Sequence, residues 1–414
     1  MAGENKAAVR DLTVKEKFKL SKFLVKWEMM LIYILILINL ILAAARPGLY
    51  FNIGTIQSII QSGLDLSPMV MGMVFVLMLG DIDVSIASIM VLSGMSTGLL
   101  YQNGAPAAAA VLAGILTGAV CGAFNGVLVG YVKMPAVIVT ISTSMLFRGI
   151  VEIILDVNSL KQFPAFYNAI GWRNWGILPI SLVLYVIITI IFFFILHKST
   201  FGRQLYIVGN NPITAAYSGI RVERVKLIVF ILMGVMAGIG SIFFVGRMGG
   251  GLSSSMGTGY EMDVIAICVL GGVSTNGGKG KVYGPFISTF IMAFLLYTLG
   301  LIGVDANTRK IVTGIVLLIA VLIPSVNRQL IADIRLKVLY KNNKNIEALN
   351  VKTAAEVKDL KAEIAKLKKE GGSSDKIRKM EEKVVSLRNT CKEKTAQMKA
   401  ELAEDARRNK ERFS

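Results

Sequence analysis

Apolar residues run in blocks of about 17–25 from Trp27 to Pro324, each long enough to cross a hydrocarbon core of about 30 Å as a helix. After Pro324 the pattern turns polar and stays so to Ser414. The blocks predict spanning segments at 29–45, 53–66, 67–80, 84–101, 107–130, 136–156, 178–196, 226–246, 262–272, 282–302 and 308–324. Several are short, or broken by glycine and charge. The pattern therefore reads as an all-α polytopic membrane protein with about ten transmembrane helices, some made of paired half-helices. Three regions follow: a polar N-terminal tail over 1–26, a transmembrane domain over 27–326, and a cytoplasmic region over 340–414.

That last region has its own periodicity. Val357, Leu360, Ile364 and Leu367 follow a three-four-three spacing, and Ile377, Met380, Val384, Leu387 and Cys391 resume it, with Lys and Glu between. This is the spacing of a coiled-coil seam. Gly371 and Gly372 end one helix, and Ser374 or Asp375 caps the next. The prediction is an antiparallel helical hairpin over 346–369 and 375–409. A solvated, charged tail without fixed structure is the competing reading.

Composition narrows the classes. The 414 residues are 54% hydrophobic with a mean hydropathy of +0.62, too apolar for a soluble chain of this length. The net charge of +18 could suggest nucleic acid. In a membrane protein it is better explained by cytoplasmic loops and contact with anionic lipid. Basic residues crowd the N-terminal tail, the loop from His197 to Lys226 and the C-terminus, which puts both termini in the cytoplasm and demands an even number of crossings. The first apolar block has no convincing cleavage site and reads as a retained helix. Cys121, Cys268 and Cys391 are too scattered for a disulfide framework or metal cluster, and His197 alone supports no histidine centre. No catalytic residue and no metal site is expected.

Two interruptions of the apolar runs look alike. One reads Leu79-Gly80-Asp81-Ile-Asp83-Val-Ser85; the other begins Leu270-Gly271-Gly272. Polar backbone at membrane depth is tolerated only where protein buries it or where it lines a watery cavity. A charge at a helix centre costs roughly 2.5–3.5 kcal/mol, so Asp81 and Asp83 need a reason. Either the pair organises a half-helix break in a pathway, or the break lies at the membrane surface, where aspartates cost little. Arg148, Glu152 and Asp156 share one helix face and are read as an ion pair, or as a snorkelling arginine, near the membrane edge rather than as a ligand site. Met69, Met71, Met73, Phe75, Met78 and Phe192 to Phe194 read as packing or lipid-facing residues. Asn39, Gln57 and Asn125 are candidates for hydrogen bonds between helices.

The most informative stretch lies between two spans, Gly209-Asn210-Asn211-Pro212-Ile-Thr-Ala215-Ala216-Tyr-Ser218-Gly219. Asn210 or Asn211 can cap a short helix that begins at Pro212 and ends at Gly219. Such a helix is suited to docking something cytosolic.

Together with Thr200-Phe-Gly-Arg203 upstream, this stretch resembles the cytoplasmic coupling loop of ribose-type sugar ABC-transporter permeases. Gly80-Asp-Ile-Asp-Val-Ser-Ile-Ala-Ser88 resembles that family's Gly-Gly-Ile-Asp-Leu-Ser-Val-Gly-Ser segment. Met134-Pro-Ala-Val-Ile-Val-Thr140 with Phe147-Arg-Gly149, and Leu270-Gly-Gly-Val-Ser274 with Gly277-Gly-Lys-Gly280, resemble two further family stretches in the same order. Asp81 departs from the usual glycine and is similar to the rhamnose- or autoinducer-type branch. The tail after about Arg335 has no counterpart in the resemblance.

The resemblance implies an import permease in the bacterial inner membrane. A second permease subunit, a cytosolic ABC ATPase and an extracytoplasmic solute-binding protein would be its partners, in a lipid membrane and without nucleic acid. The sequence has no Gly-x-x-x-x-Gly-Lys-Ser/Thr loop, so ATP and Mg belong on the partner ATPase and this chain binds no cofactor. Gly209 to Pro212, Ala215, Ala216, Ser218 and Gly219 would be the ATPase-coupling residues. Gly80, Asp81, Asp83, Ser85, Gly271 and Gly272 would form the pathway breaks. An ion-coupled secondary transporter using Asp81 and Asp83, and a membrane scaffold acting through its helical tail, stay open as alternatives.

Overall fold

A computed structural model describes residues 27–45, 47–50, 52–325, 344–369 and 374–412. The basic N-terminal tail and the Gly371–Gly372 turn lie outside the described residues. The chain divides into two compact units, Met1–Ile323 and Pro324–Ser414.

The first unit is helical, with two small β pairs at one end. It begins with α1 (Trp27–Ala45), the single turn α2 (Pro47–Tyr50) and α3 (Ile53–Leu64), which Asn52 caps through a 2.8 Å bond from the Gly54 N–H. α4 (Ser67–Met78) starts after Asp65 and Leu66 with Pro68 in its first turn, and the α3–α4 pair is bent by 42° there. The segments predicted separately at 53–66 and 67–80 are thus a bent pair, either one broken span or a re-entrant loop. α5 (Ile86–Gln102), α6 (Ala107–Gly130) and α7 (Ala136–Leu155) follow. Next come β1 (Ser159–Leu160), α8 (Phe166–Trp172), β2 (Asn174–Trp175), β3 (Leu178–Pro179) and α9 (Ile180–Lys198). β2 and β3 form a hairpin across Gly176 and Ile177; Gly176 takes φ +63, as a tight hairpin turn requires.

α10 (Thr200–Asn210) and α11 (Pro212–Tyr217) link α9 to the long α12 (Val222–Arg247). β4 (Leu252–Ser253) pairs antiparallel with β1 before α13 (Tyr260–Leu270), α14 (Tyr283–Leu301) and α15 (Ala306–Ser325). Among the described residues α6, α7, α9, α12 and α14 are long and apolar enough to cross a membrane, making five spans, or six with the bent pair.

Burial separates centre from rim. Every residue of α4 is buried, so its Met and Phe positions are packing residues, and Phe75 meets Phe192 edge-on at 5.0 Å between centroids. Phe194 is exposed instead. The most extensive helix contact is α6 against α12. Gly114, Gly118, Gly122, Gly126 and Gly130 recur every fourth residue on α6. A Cβ at Gly118 would overlap the Gly234 carbonyl, and one at Gly122 the Phe230 carbonyl. Lipid tails give two apolar helices no hydrophobic reason to associate, so close backbone contact has to supply the attraction.

In the second unit α16 (Lys344–Lys369) and α17 (Ser374–Arg412) run antiparallel. Val357, Ile364 and Val384 are buried between them, with Leu360, Ile377, Met380 and Leu387 packed alongside. Lys368 Nζ reaches Glu381 Oε1 at 2.9 Å, and the Cys391 thiol donates to Asn350 Oδ1 at 3.5 Å.

Candidate functional site

Three interruptions of the first unit meet at one pole. The first follows α4. Gly80 adopts φ +81, which lets its N–H return to the Leu77 carbonyl (2.9 Å) and the Asp81 N–H to that of Val76 (3.3 Å), closing the helix. Asp81 Oδ2 then pairs with Lys226 Nζ at 2.7 Å, tying the break to the first turns of α12. Asp83 is fully buried, and its Oδ1 accepts from both the Ser85 N–H (2.8 Å) and the Ser85 hydroxyl (2.6 Å). Ser85 Oγ in turn accepts from Asn125 Nδ2 on α6 at 2.8 Å, and the Thr140 hydroxyl on α7 donates to the Ile82 carbonyl at 3.2 Å. One short break is therefore stitched to three helices. Asp83 Oδ2 and Asn125 Oδ1 are buried without a hydrogen-bond partner.

The second interruption follows α13. Its 11 residues rise about 16 Å, half a hydrocarbon core. It stops at Gly271, with Gly272 at φ +81 and the Val273 N–H returning to the Cys268 carbonyl at 3.1 Å. Gly271 also lets the backbone of Gly284, at the start of α14, approach closely. By this geometry Gly80 corresponds to Gly272 rather than Gly271. The same closure ends α5, α11, α12 and α14 at Gly104, Gly219, Gly249 and Gly303, so it is a general helix stop in this fold and not particular to the two breaks.

The third element is the predicted docking stretch, which contains two helices rather than one. Ser199 caps α10 by accepting the Gly202 N–H (3.0 Å). Asn211, not Asn210, caps α11 by accepting from the N–H groups of Ile213 (3.0 Å) and Thr214 (3.1 Å), with Pro212 at its first position. Gly219, at φ +80, closes it through a bond to the Ala216 carbonyl. Ala215 is fully buried and seats the helix, so it cannot itself face a docked protein. The outward face is Ala216, Ser218, Tyr217 (90% exposed) and Ile213 (70% exposed). The sequence reading missed those last two.

The three elements touch through backbone. The Gly278 N–H donates to the Met78 carbonyl at 2.9 Å, and Gly209 lies so close to both that a Cβ there would overlap the Met78 carbonyl. The Tyr206 hydroxyl donates to the Gly280 carbonyl at 2.7 Å. Both breaks and the stretch from Gly209 to Gly219 thus share one junction, flanked by a groove of about 510 Å³ lined by Tyr206, Ile207, Asn210, Asn211, Thr214 and Gly278.

Other expected contacts resolve differently. Arg148 makes no ion pair with Glu152 or Asp156 among the described residues; it donates to the carbonyls of Ser254 (2.6 Å) and Met256 (2.8 Å), pinning the loop before α13. Asn125 links helices as expected. Asn39 also links helices, accepting from Tyr50 of α2 while donating to Leu35 in its own helix, whereas Gln57 reaches the β2–β3 hairpin at Ile177.

At the opposite pole the sequence reading passed over Asp65, at the α3–α4 bend. It is buried, and Tyr260 at the start of α13 donates to its Oδ2 at 3.1 Å. Arg247, ending α12, stacks over Trp172 at 4.2 Å. The available signal was a lone acid inside an apolar run.

Residues 55–321 match the family described as branched-chain amino acid transport system / permease component. The ribose import permease protein of Escherichia coli K12 is 33% identical over 298 residues, 71% of this chain and 92% of that relative. The L-arabinose transport system permease protein of the same strain is 31% identical over 309 residues, 74% and 93% of the two chains. The autoinducer 2 import system permease protein of Photorhabdus laumondii is 34% identical over 275 residues, 66% and 82%. No solved structure matches the chain.

Proposed function

This chain belongs to the branched-chain amino acid transport system / permease component family, and we propose on that premise that it is the membrane permease of an ATP-driven importer for a sugar or sugar-like solute. The solute class follows the relatives named for ribose and L-arabinose import or transport. Ten crossings are reached when α1, the α3–α4 pair, α5, α6, α7, α9, α12, α14 and α15 each count once and α13, which alone rises only half a core, counts as the helical half of a broken span. An even number puts both termini on one side, and the basic loops assign that side to the cytoplasm of a bacterial inner membrane. α16 and α17 then form a cytoplasmic, coiled-coil-like hairpin. The expected partners are a cytosolic ABC ATPase that carries ATP and Mg, a second permease subunit and an extracytoplasmic solute-binding protein.

The observation that carries the reading is the junction of α11 with both breaks. An ATPase seated on Ile213, Ala216 and Tyr217 displaces α11 and α10. Gly209 passes that displacement to Met78 and Gly278 without an intervening side chain. Asp81–Lys226 and Asp83–Ser85–Asn125 carry it on into α12 and α6. The hypothesis is tested with Ala216→Glu, an exposed position that leaves the buried seat intact. The variant is expected to insert normally and to lose both ATPase co-purification and uptake; normal values of both would remove the coupling role. Ion coupling has one supporting observation, the unpartnered buried Oδ2 of Asp83. Uptake that persists without ATP and collapses with the proton or sodium gradient would favour it.

A further inference from the structure

On one face of the α16–α17 hairpin lies a groove of about 620 Å³. Lys358 and Lys361 line it from α16, Arg388 and Lys392 from α17, and no acidic side chain is among its lining residues. None of the four cations forms an ion pair among the described residues. Elsewhere on the same helices Lys368 pairs with Glu381 at 2.9 Å and Arg378 with Glu382 at 3.5 Å. A hairpin serving only as a spacer gains by alternating charge throughout; cations gathered in one groove repel one another and favour an anion between them. One further polar group suits an anion: Cys391 occupies Asn350 Oδ1, which leaves the Asn350 amide hydrogens to donate, whereas the Thr353 hydroxyl is taken by the Leu349 carbonyl.

We propose that this groove binds the headgroups of anionic phospholipids in the membrane that the first unit spans. The proposal rests on the membrane-spanning reading of that unit. Two observations select lipid over an acidic protein helix. First, Val357, Ile364 and Val384 are buried between the two helices, so the seam itself is closed to a third helix. Second, the hairpin is tied to α15 by residues 326–343, which span at most about 65 Å even when extended. That connection carries Arg328, Arg335, Lys337 and Lys341 against Asp333 alone. Basic clusters beside a membrane helix are attracted to the negative surface potential of anionic lipid, within a Debye length.

The test uses the full chain in nanodiscs, whose two lipid faces are both accessible, so that the outcome does not depend on which side the hairpin occupies. Hydrogen exchange of segments 350–361 and 388–392 is compared in phosphatidylcholine alone and with one-third phosphatidylglycerol. Several-fold slower exchange in the anionic discs is expected, reversed by 0.5 M salt and absent in the K358Q/K361Q/R388Q/K392Q variant. Exchange of that variant in phosphatidylcholine discs shows whether the hairpin still folds; if it does not, salt reversal in the unmodified chain decides. Equal exchange in both lipids overturns the proposal. So does protection that appears only when the partner ATPase is added, which would assign the groove to a protein. Neither result touches the import function, because uptake is not measured.

Discussion

The α6–α12 pair and the α16–α17 pair are both two-helix contacts, held by opposite means. In α6–α12 glycine removes side chains until backbones meet, and Gly114, Gly118, Gly122, Gly126 and Gly130 make up most of the buried face of α6. In α16–α17 a narrow stripe of Val, Ile and Leu is buried between charged flanks. The environments differ in what they reward. In lipid an apolar side chain gains nothing by turning inward, so contact density decides. In water removal of apolar area decides, and a thin stripe is enough when the flanks stay soluble. Charge follows the same division: Lys226–Asp81 has side chains only 20% and 13% exposed, whereas Lys368–Glu381 is 56% and 53% exposed.

Four single substitutions sharpen this contrast. The largest effect is expected from Gly122→Leu, whose side chain must occupy the space of the Phe230 carbonyl and the Gly234 backbone. Loss of folded protein from detergent extracts is expected, measured by size-exclusion chromatography. A monodisperse peak of wild-type yield would show that the contact tolerates being pried apart.

Next comes Lys226→Ala, which leaves the Asp81 carboxylate mostly buried and unpaired, at a cost of about 3–5 kcal/mol. The expected result is a clearly lowered unfolding midpoint of the first unit, with partial recovery in the Lys226→Ala/Asp81→Ala double variant. Lys368→Ala in the hairpin should cost about 1 kcal/mol or less. Equal losses at the two sites would erase the distinction.

The effect of Ile364→Ala is expected to stay within the hairpin. It removes about 2–4 kcal/mol from the hairpin seam and speeds hydrogen exchange in α16 and α17. The unfolding midpoint of the first unit should stay unchanged, since the two units have separate cores. A fall in that midpoint would show that they unfold together.

The hairpin was legible because its period is written in residue type: apolar every third or fourth position, polar between. The long apolar helices α6, α7, α9, α12 and α14 were legible in block length. What stayed hidden depends on partners far along the chain. Asp81 reads as a costly charge until Lys226 is placed beside it, across an interval that no local pattern spans. Arg148 points to Glu152 on one helix face, yet the carbonyls at 254 and 256 outbid it, being fixed acceptors brought in by a loop. Ala215 and Ala216 are identical in sequence, and only the packing of α11 makes one a seat and the other a face. The α6 glycines stand at four-residue spacing, but the sequence reading did not single them out.

One consequence belongs to the contact of Gly209, Met78 and Gly278. Most joints between moving parts of a protein run through side chains, whose rotamers absorb a few tenths of an ångström before anything beyond them shifts. Here peptide groups meet peptide groups, which have no rotamers to spend. The joint has almost no backlash. Small strokes of α10 should therefore arrive at the end of α4 nearly undiminished, and thermal rattling at that end should travel back just as faithfully.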